Sequence, residues 1–438
     1  MFPLSDEQLL DALQRMGIGD DISRATIRQI VALSGELEDV AQEPYIHLEL
    51  GNPGLPACEL GVAEECRKLA EGIANQYPNI AGIPRLKEAG SRFVKAFIDV
   101  DIPGRFIVPT VGSMQGTFTM MLLLGAREKR RDTVVYLHPG FSPQLLQSKV
   151  LGLKSEMFDI YNYRGKALEA KLEEILSKGN VTAMLYSNPN NPAWTNFTEE
   201  ELEIIGRMAN RHDVIVMEDM AYIGMDFRSD LSRPGEAPFV PTVARYTDNY
   251  VIFISGSKIF SYAGQRIALV CVGPRLGMRN FEALNELYHM PTFIDCFIYG
   301  VLYCASSGTA HSAQYALAAM MEAAVEGKLD FVDMCREYGR RAAETKKVFT
   351  DNGFNIVYEC DGDGRPVSDG FFFTAGYKGL SSAELQGRLM RHGVATIALS
   401  STGSEQDGVR VCVSLLDSPD KLAELDRRLK KFVTEIEK

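Results

Sequence analysis

The sequence predicts an α/β protein: a large domain with a mostly parallel sheet between helices, and a smaller α+β domain. Three observations predict this fold class. The chain has 438 residues, more than a single hydrophobic core usually supports. Short apolar runs rich in β-branched residues alternate with helical patterns, which is typical of parallel sheets. After about residue 325 the pattern changes to long, charged helices.

The N-terminal part precedes the predicted sheet. The first 45 residues hold two helical patterns, at 7–16 and 27–40, and a short strand is predicted at 46–50. The sequence does not indicate where the two helices pack. The apolar runs that predict the sheet are 133–137, 181–186, 214–217, 250–254 and 267–272.

The helix that begins at Glu199 has clear start signals. Thr198 is a good N-cap, Glu201 completes a capping box, and Phe197 is placed to pack against Leu202. The apolar positions predicted to face the sheet are Leu202, Ile205, Met208 and Ala209.

The C-terminal third is predicted to be mainly helical. Residues 296–321 carry no charge, but polar residues such as His311 and Gln314 interrupt them, which favours a buried helix pair over a membrane span. A further helix is predicted at 331–349, ending near Gly353, and another forms the C-terminus. We expect an N-terminal arm with part of the small domain at 1–60, the large domain at 61–322 and the small domain at 323–438.

Composition excludes several classes of protein. A net charge of −12, with no basic stripe, argues against a nucleic-acid partner. The eight cysteines form no C-x-x-C pair, which fits neither a disulfide framework nor a zinc site. Residues 1–20 lack the cationic start of a secretory signal. We expect a cytoplasmic protein with no metal site and no membrane segment.

Lys258 is the candidate nucleophile. It lies in Ser255-Gly256-Ser257-Lys258, directly after an apolar run that predicts a strand. A lysine amine becomes a Schiff-base nucleophile when its surroundings lower its pKa, and a strand end over a pocket can provide such surroundings. The alternative is a solvated, unreactive lysine.

Polar residues at other strand ends complete a candidate site. Asp219 follows the run at 214–217, and ligands of open α/β sheets bind beyond the carboxyl ends of strands. Its alternative role is to cap the next segment. Tyr222 follows three residues later, and Asn191 lies in Ser187-Asn188-Pro189-Asn190-Asn191-Pro192. Both are candidates to hydrogen-bond a ligand, the alternative for each being a turn residue.

A phosphate group has a predicted binding place in the same region. Gly112-Ser113-Met114 opens an apolar helical pattern, and free N–H groups at a helix N-terminus bind anions. Ser255 and Arg266 are candidates to complete this cradle. An amine, a carboxylate and a phosphate cradle together are what pyridoxal 5′-phosphate requires.

The order and spacing of these motifs resemble a known family. Asn-Pro-x-Asn-Pro at 188–192, Asp-x-Ala-Tyr at 219–222 and Ser-x-Ser-Lys at 255–258 are followed by Arg266. Asn191 and Asp219 are 28 positions apart, Asp219 and Lys258 are 39 apart, and Lys258 and Arg266 are 8 apart. This arrangement resembles the class I/II aminotransferases of fold type I, over about residues 48–414.

The resemblance implies a seven-stranded sheet, pyridoxal phosphate as cofactor, and a role for each motif. Lys258 would form the Schiff base and carry the proton, and Asp219 would pair with the pyridine nitrogen. Asn191 and Tyr222 would bind the phenolic oxygen, and Phe141 would stack on the ring.

The resemblance also implies substrate and partner contacts. Arg410, with backbone from the Gly51 region and Asn191, would hold the substrate α-carboxylate, the alternative for Arg410 being a solvated arginine at a strand edge. Tyr77 would reach the cofactor phosphate of a neighbouring subunit, which implies a homodimer with shared active sites. A core tyrosine is the alternative for Tyr77.

The sequence departs from the family pattern in two places. Ala193-Trp194 stands where Thr-Gly is usual, so the only tryptophan lies beside the cofactor loop. No arginine occurs between Arg279 and Arg336, where dicarboxylate-specific relatives carry one. Aspartate specificity by that route therefore loses support.

The resemblance implies amino transfer between an α-amino acid and a 2-oxo acid. A β-lyase, or another α-carbon enzyme on the same fold, is the closest alternative because all of them share the carbanion intermediate. A regulator that senses pyridoxal phosphate is a further alternative. About 45 residues before the match leave little room for the DNA-binding module that such a regulator needs.

Overall fold

The computed structural model of the protein describes residues 2–437. The strands are β1 (Ile46–His47), β2 (Ile107–Val111), β3 (Thr133–His138), β4 (Lys154–Asp159), β5 (Val181–Ser187), β6 (Ile215–Asp219), β7 (Tyr250–Ser255), β8 (Ile267–Val272), β9 (Asn355–Ile356), β10 (Phe372–Gly376), β11 (Val394–Ala395), β12 (Ile397–Ala398) and β13 (Val409–Cys412). The α-helices are α1 (Asp6–Arg15), α2 (Ile27–Ala41), α3 (Glu59–Ala70), α4 (Pro84–Ile98), α5 (Gly112–Ala126), α6 (Ser142–Val150), α7 (Lys166–Leu176), α8 (Glu199–His212), α9 (Gly256–Ile259), α10 (Pro274–Gly277), α11 (Glu282–Tyr288), α12 (Phe293–Asp295), α13 (Tyr303–Ser306), α14 (His311–Val325), α15 (Phe331–Asp351), α16 (Ser382–Arg391) and α17 (Pro419–Ile436).

A seven-stranded sheet forms the centre of the fold. Its strand order is β2-β8-β7-β6-β5-β3-β4, and β8 alone runs antiparallel to its two neighbours. Every residue of β3, β5, β6, β7 and β8 is buried. Since successive side chains of a strand point to opposite faces, this burial means that both faces are covered. The predicted α/β class and mostly parallel sheet are confirmed.

The two strands that the apolar runs did not predict are the edges of this sheet. Strand β4 is half exposed and begins with Lys154-Ser155-Glu156, so it lacks an apolar run. Strand β2 contains Pro109, which has no N–H to donate and is tolerated at an edge. Apolar runs therefore predict the buried central strands of the sheet but not its two edge strands.

Helix α8 has the predicted capping box. The Thr198 hydroxyl accepts from the Glu201 N–H at 3.2 Å, and the Glu201 carboxylate accepts from the Thr198 N–H at 3.0 Å. The four apolar positions predicted to face the sheet are all buried. Local sequence signals were sufficient to predict the start and the buried face of α8, because both the cap and the apolar stripe belong to this one helix.

A second, antiparallel sheet of four strands, in the order β12-β13-β10-β9, lies in the C-terminal part. A separate apolar cluster contains residues of this sheet together with residues of α15, α16 and α17. Strand β1 pairs in parallel with β11, so the N-terminal segment joins this C-terminal part. The domain boundaries at 60 and 322 stay predictions.

The two N-terminal helices pack on the C-terminal part. Buried residues of α1 and α2 form one apolar cluster with Met390, Ala395 and Ile397. The first turn of α2 thereby lies beside the main cavity, which Ile27 and Arg28 line. The sequence left this packing open because it depends on contacts between the two ends of the chain, such as Tyr45 with Met390, which are 345 positions apart.

The charge-free stretch 296–321 is helical but only partly buried. A π-helical segment, Cys296–Leu302, leads into α13, and a turn at Ser307 and Gly308 precedes α14. Residues 303–307 are exposed, so the expected buried helix pair is wrong for this part. Among residues 2–437, no helix has the length and apolarity needed to cross a membrane.

The packing of α2 predicts a large effect of a core truncation. Leu33→Ala should lower the free energy of unfolding by about 2–5 kcal/mol, because Leu33 is fully buried in this cluster. Val40 on the same helix is 42% exposed, so Val40→Ala should change it by less than about 0.5 kcal/mol. Urea unfolding followed by circular dichroism measures both, and equal losses would contradict the packing.

Candidate active site

The candidate active site lies at the carboxyl edge of the central sheet. Parallel pairing sets Ser187 of β5 opposite Asp219 of β6, and Asp219 opposite Phe253 of β7. A cavity of about 510 Å³ opens beyond these strand ends. It brings together most of the predicted site residues, namely Gly51, Ser113, Met114, Phe141, Asn191, Asp219, Tyr222, Ser255, Lys258, Arg266 and Arg410.

Lys258 lies in the short helix α9 that follows β7. Its amine donates to the carbonyl oxygen of Gly51, and the ring of Phe371 lies 5.2 Å away. Burial, with a smaller contribution from the positive charges of Arg410 and Arg266, lowers the pKa of Lys258 to about 8. The amine is partly buried and hydrogen-bonded within the cavity, and a lowered pKa makes an amine a better nucleophile, so the role of Lys258 as nucleophile stays a prediction that this geometry favours.

Asp219 is the only acid among the described residues that line the cavity. Its carboxylate accepts from the Gln144 side chain at 3.0 Å and from the Ala221 N–H at 3.2 Å. Burial raises the pKa of Asp219 to about 6, so a cation placed opposite would favour its charged form. The bond to Ala221 shows that Asp219 also caps the next turn.

Gln144 was missed by the sequence analysis. It lies in α6, six residues after His138, and its side-chain amide donates to one oxygen of Asp219. The other oxygen is held by backbone, so the carboxylate has a defined orientation. No local motif marks Gln144, because its partner is 75 positions away.

Tyr222 and Trp194 form an aromatic wall beside the cavity. Their ring centroids lie 5.2 Å apart at an interplanar angle of 70°, an edge-to-face contact. The Trp194 indole donates to the Ser368 hydroxyl at 3.1 Å. A Cβ on Gly370 would lie 2.1 Å from the indole ring, so this close approach requires glycine.

An anion cradle lies at the start of α5. Gly112 has φ +67°, and a Cβ there would lie 2.4 Å from the Arg266 guanidinium, so only glycine lets the two approach. The Ser113 hydroxyl is buried without a hydrogen-bond partner in the described chain. A free hydroxyl, a guanidinium and a helix N-terminus are the donors that a phosphate group needs.

Arg410 lies in β13, between β10 and β12. It is buried, its guanidinium donates to the Asn191 side chain at 3.3 Å and to the Glu49 carbonyl, and it lies 4.8 Å from the Phe372 ring. The alternative of a solvated edge arginine is therefore wrong. Its Nε has no partner among the described residues, which leaves it available to a ligand.

Tyr77 does not line the cavity. Its side chain is 94% exposed, so the alternative of a core tyrosine is wrong. Its role toward a neighbouring subunit stays a prediction.

Among residues 2–437, no group of His, Cys, Asp and Glu side chains is arranged to hold a metal ion.

Comparison with known proteins agrees with this geometry. The family model for aminotransferase class I and II matches residues 44–428. The chain belongs to this family. Curated relatives include an aspartate aminotransferase from Pyrococcus horikoshii (26% identical, over 60% of this chain and 63% of the relative) and a glutamate-pyruvate aminotransferase from Escherichia coli (28%, over 60% and 62%). The chain thus spans a little under two thirds of the length of these relatives.

Solved structures of aminotransferases share the fold of this family member. An aspartate aminotransferase from Thermus thermophilus with maleate superposes with a TM-score of 0.74 at 20% identity, covering 99% of this chain and 100% of that one. An Escherichia coli protein with a methionine aminotransferase function gives 0.74 at 18%, covering 93% and 97%. The likeness extends over nearly the whole chain, so the fold type implied by the sequence motifs is confirmed.

The low pKa of Lys258 predicts a distinct reactivity in this aminotransferase-family chain. Only the neutral amine reacts with acetic anhydride, so acetylation of Lys258 should rise with pH around a midpoint near 8. Acetylation of exposed lysines should instead rise around their ordinary pKa of about 10.4. Trace acetylation of cofactor-free protein, read by mass spectrometry, measures each lysine separately. A Lys258 midpoint among those of the exposed lysines would contradict the assignment.

Proposed function

We propose that this protein is a pyridoxal-5′-phosphate-dependent aminotransferase that moves an amino group between an α-amino acid and a 2-oxo acid. The observation that carries the proposal is the convergence of Lys258, Asp219 and the Gly112–Arg266 cradle on one cavity. A nucleophilic amine, a buried acid and an anion site are the three contacts that this cofactor needs. Membership of the aminotransferase family supports the same assignment.

The residues present fit pyridoxal phosphate. Gly112, Ser113 and Met114, with Ser255 and Arg266, would hold its phosphate, and the unpartnered Ser113 hydroxyl is a donor ready for it. When bound, pyridoxal phosphate supplies an aldehyde that condenses with amines and a protonated ring that accepts electrons released at the substrate α-carbon. The Asp219 carboxylate would hold the proton on the ring nitrogen, and Phe141 would cover the ring face.

Lys258 has the properties of both the attachment point and the proton carrier. With a pKa near 8 its amine is neutral in a substantial fraction of molecules at pH 7.5. The same amine, when free, would serve as the base that takes the α-proton of the substrate. Tyr222 and Asn191 would supply hydrogen bonds to the phenolic oxygen of the ring.

Arg410 is suited to orient the substrate. Its planar guanidinium matches a carboxylate in a two-point contact, and the Phe372 ring and the Asn191 amide hold it in place. Gly51 adds backbone contacts on the same side of the cavity. This arrangement would direct the α-hydrogen of the substrate toward Lys258.

The proposal includes a homodimer with shared active sites. Tyr77 is 94% exposed, so its side chain is free to reach a second subunit. Arg266, on the phosphate side of the cavity, is exposed as well. In the dimer, Tyr77 would donate to the cofactor phosphate held by the other subunit.

Eight free cysteines support a reducing compartment, the cytoplasm.

The proposed activity predicts the products of a half-reaction. Protein loaded with pyridoxal phosphate and mixed with an amino acid alone should convert the cofactor to pyridoxamine phosphate and release one equivalent of 2-oxo acid. Chromatography of the acid-quenched mixture measures both, over a panel of donors. Release of ammonia and pyruvate in many turnovers would instead identify a β-lyase and contradict the proposal.

A matched pair of lysine variants controls this experiment. Lys258→Ala should abolish turnover, because both the covalent anchor and the base are lost. Burial lowers the pKa of Lys87 to about 8 as well, but Lys87 lies outside the cavity and donates to the Ala81 carbonyl. Lys87→Ala should keep activity within about threefold of the wild type.

The shared site predicts complementation between two inactive variants. Tyr77→Ala and Lys258→Ala are combined under conditions that exchange subunits. A mixed dimer places both defects in one site and leaves the other intact, so up to about a quarter of the wild-type activity should return in an equal mixture with random exchange. Native mass spectrometry verifies the mixed dimers. Verified mixed dimers without activity, or a fully active monomer, would reject the shared site.

A further inference from the structure

Trp194 is the largest fully buried side chain in the described part of the protein, and the proposed function gives it no role. It does not line the active-site cavity. It follows Asn191 by three positions, where the family pattern has glycine and this sequence has its only tryptophan. An indole therefore occupies space beside the cofactor loop that a glycine would leave empty.

The backbone at Trp194 has the conformation that favours glycine. Its φ is +62°, in the left-handed region that residues with a Cβ rarely adopt. The Trp194 N–H donates to the Asn190 carbonyl at 3.0 Å, and the Asn190 N–H donates to the Thr195 carbonyl at 3.0 Å, so this tight turn is held from both sides. Strained backbone persists only where the surroundings stabilise it, and it is concentrated at functional sites. The contacts of the indole must therefore offset the strain.

The C-terminal part of the chain fits closely around the indole. Its Nε1 donates to the Ser368 hydroxyl at 3.1 Å. A Cβ on Gly370 would lie 2.1 Å from the ring, so the backbone of this segment touches the indole directly. A hydrogen bond at one edge of the ring and backbone against another fix both the position and the rotation of the indole.

Two residues that do line the cavity lie against the indole. The Tyr222 ring is 5.2 Å from it at an angle of 70°, and the Phe372 ring is 6.0 Å from it at 68°. These edge-to-face contacts depend on the relative orientation of the rings. The Tyr222 and Phe372 rings also contact each other, 5.5 Å apart at 78°. The three rings form one cluster, of which only Trp194 does not line the cavity.

The two neighbours of the indole serve the two ligands of the proposed function. Tyr222 would bind the phenolic oxygen of the cofactor, and within residues 2–437 its ring is held by aromatic packing and its hydroxyl has no hydrogen-bond partner. Phe372 lies 4.8 Å from the Arg410 guanidinium, which would bind the substrate carboxylate. A change in the orientation of the indole would therefore displace groups on the cofactor side and on the substrate side together.

We propose that Trp194 is a positioning residue that orients Tyr222 toward the cofactor and, through Phe372, Arg410 toward the substrate. This inference rests on the proposed function. The alternative is that the indole only fills space between the central sheet and the C-terminal part. Positioning predicts that loss of the indole acts through Tyr222 and Phe372, whereas space filling predicts a loss of stability that is independent of both.

A double-mutant cycle on cofactor binding tests the link to Tyr222. Trp194→Leu and Tyr222→Phe should each weaken the binding of pyridoxamine phosphate to cofactor-free protein by about tenfold, as measured by calorimetry. Because both changes would remove the same contact, the double variant should bind at most about twofold more weakly than either single variant. Losses that multiply in the double variant would reject positioning through Tyr222.

A second cycle tests the link to the substrate side. The probe is valerate, a carboxylate without an amino group, added to protein saturated with pyridoxal phosphate. Trp194→Leu and Phe372→Leu should each weaken valerate binding about threefold or more, because Arg410 is less well oriented in both, and their losses should not multiply. Independent losses would reject the link from Trp194 to Arg410.

Two control variants separate positioning from packing. Trp194→Phe keeps an aromatic ring and should retain the affinity for pyridoxamine phosphate within about threefold of the wild type. Phe432→Leu truncates another fully buried aromatic side chain that packs on aromatic rings of the C-terminal part and does not line the cavity. It should lower the melting temperature without weakening either ligand. Equal losses of affinity in Phe432→Leu and Trp194→Leu would assign the effect to packing alone.

Ser368→Ala provides a milder change if Trp194→Leu does not fold. The indole stays but loses its hydrogen-bond acceptor, so the affinity for pyridoxamine phosphate should fall about twofold to threefold. In the Tyr222→Phe background the same change should have no further effect. An equal loss in both backgrounds would contradict positioning.

The half-reaction with an amino donor distinguishes this inference from the proposed function. If the wild type forms pyridoxamine phosphate from its cofactor but losses multiply in both cycles, the role of Trp194 is rejected and the proposed function stands. If no donor reacts but pyridoxamine phosphate binds and the first cycle is non-additive, the proposed function fails and the positioning of Tyr222 remains. A wild type that does not bind pyridoxamine phosphate would reject both.

Discussion

The parallel pairing of β5, β6 and β7 is the constraint on which the site depends. Their register sets the ends of the three strands side by side, so that Asp219 and the segment leading to Lys258 emerge at one edge of the sheet. Both faces of these strands are packed, so a shift in register would be costly because it would exchange side chains of different size between two closely packed faces. The chemistry of the cavity is thereby fixed by apolar packing elsewhere.

The balance of charge inside the cavity explains what it can accept. Four cations and one acid line it, and the acid is oriented by Gln144 and by backbone. Burial together with neighbouring cations lowers the pKa of Lys258 to about 8, which makes its amine reactive. A bound phosphate and a substrate carboxylate would offset the excess positive charge. An anionic cofactor and anionic substrates are thus what the cavity complements.

The sequence was most informative where the signal is local or fixed in spacing. The five buried strands and the cap of α8 follow from apolar runs and neighbouring residues, and the motifs around Asn191, Asp219 and Lys258 predicted the residues that line the cavity. The edge strands β2 and β4 lack such runs. Gln144 and Arg28 enter the cavity through packing between distant segments, which no local pattern records. Tyr77 is exposed in the single chain, so its role depends on a second subunit.

Lys258 and Asp219 are proposed to hold the two ends of the same cofactor. A crystal structure of the protein grown with pyridoxal phosphate tests this proposal most directly. It should show continuous electron density from Nζ of Lys258 to the cofactor, the ring nitrogen about 3 Å from the Asp219 carboxylate, and the phosphate between Gly112 and Arg266. Density that joins another lysine, or a ring nitrogen that faces away from Asp219, would contradict the claim.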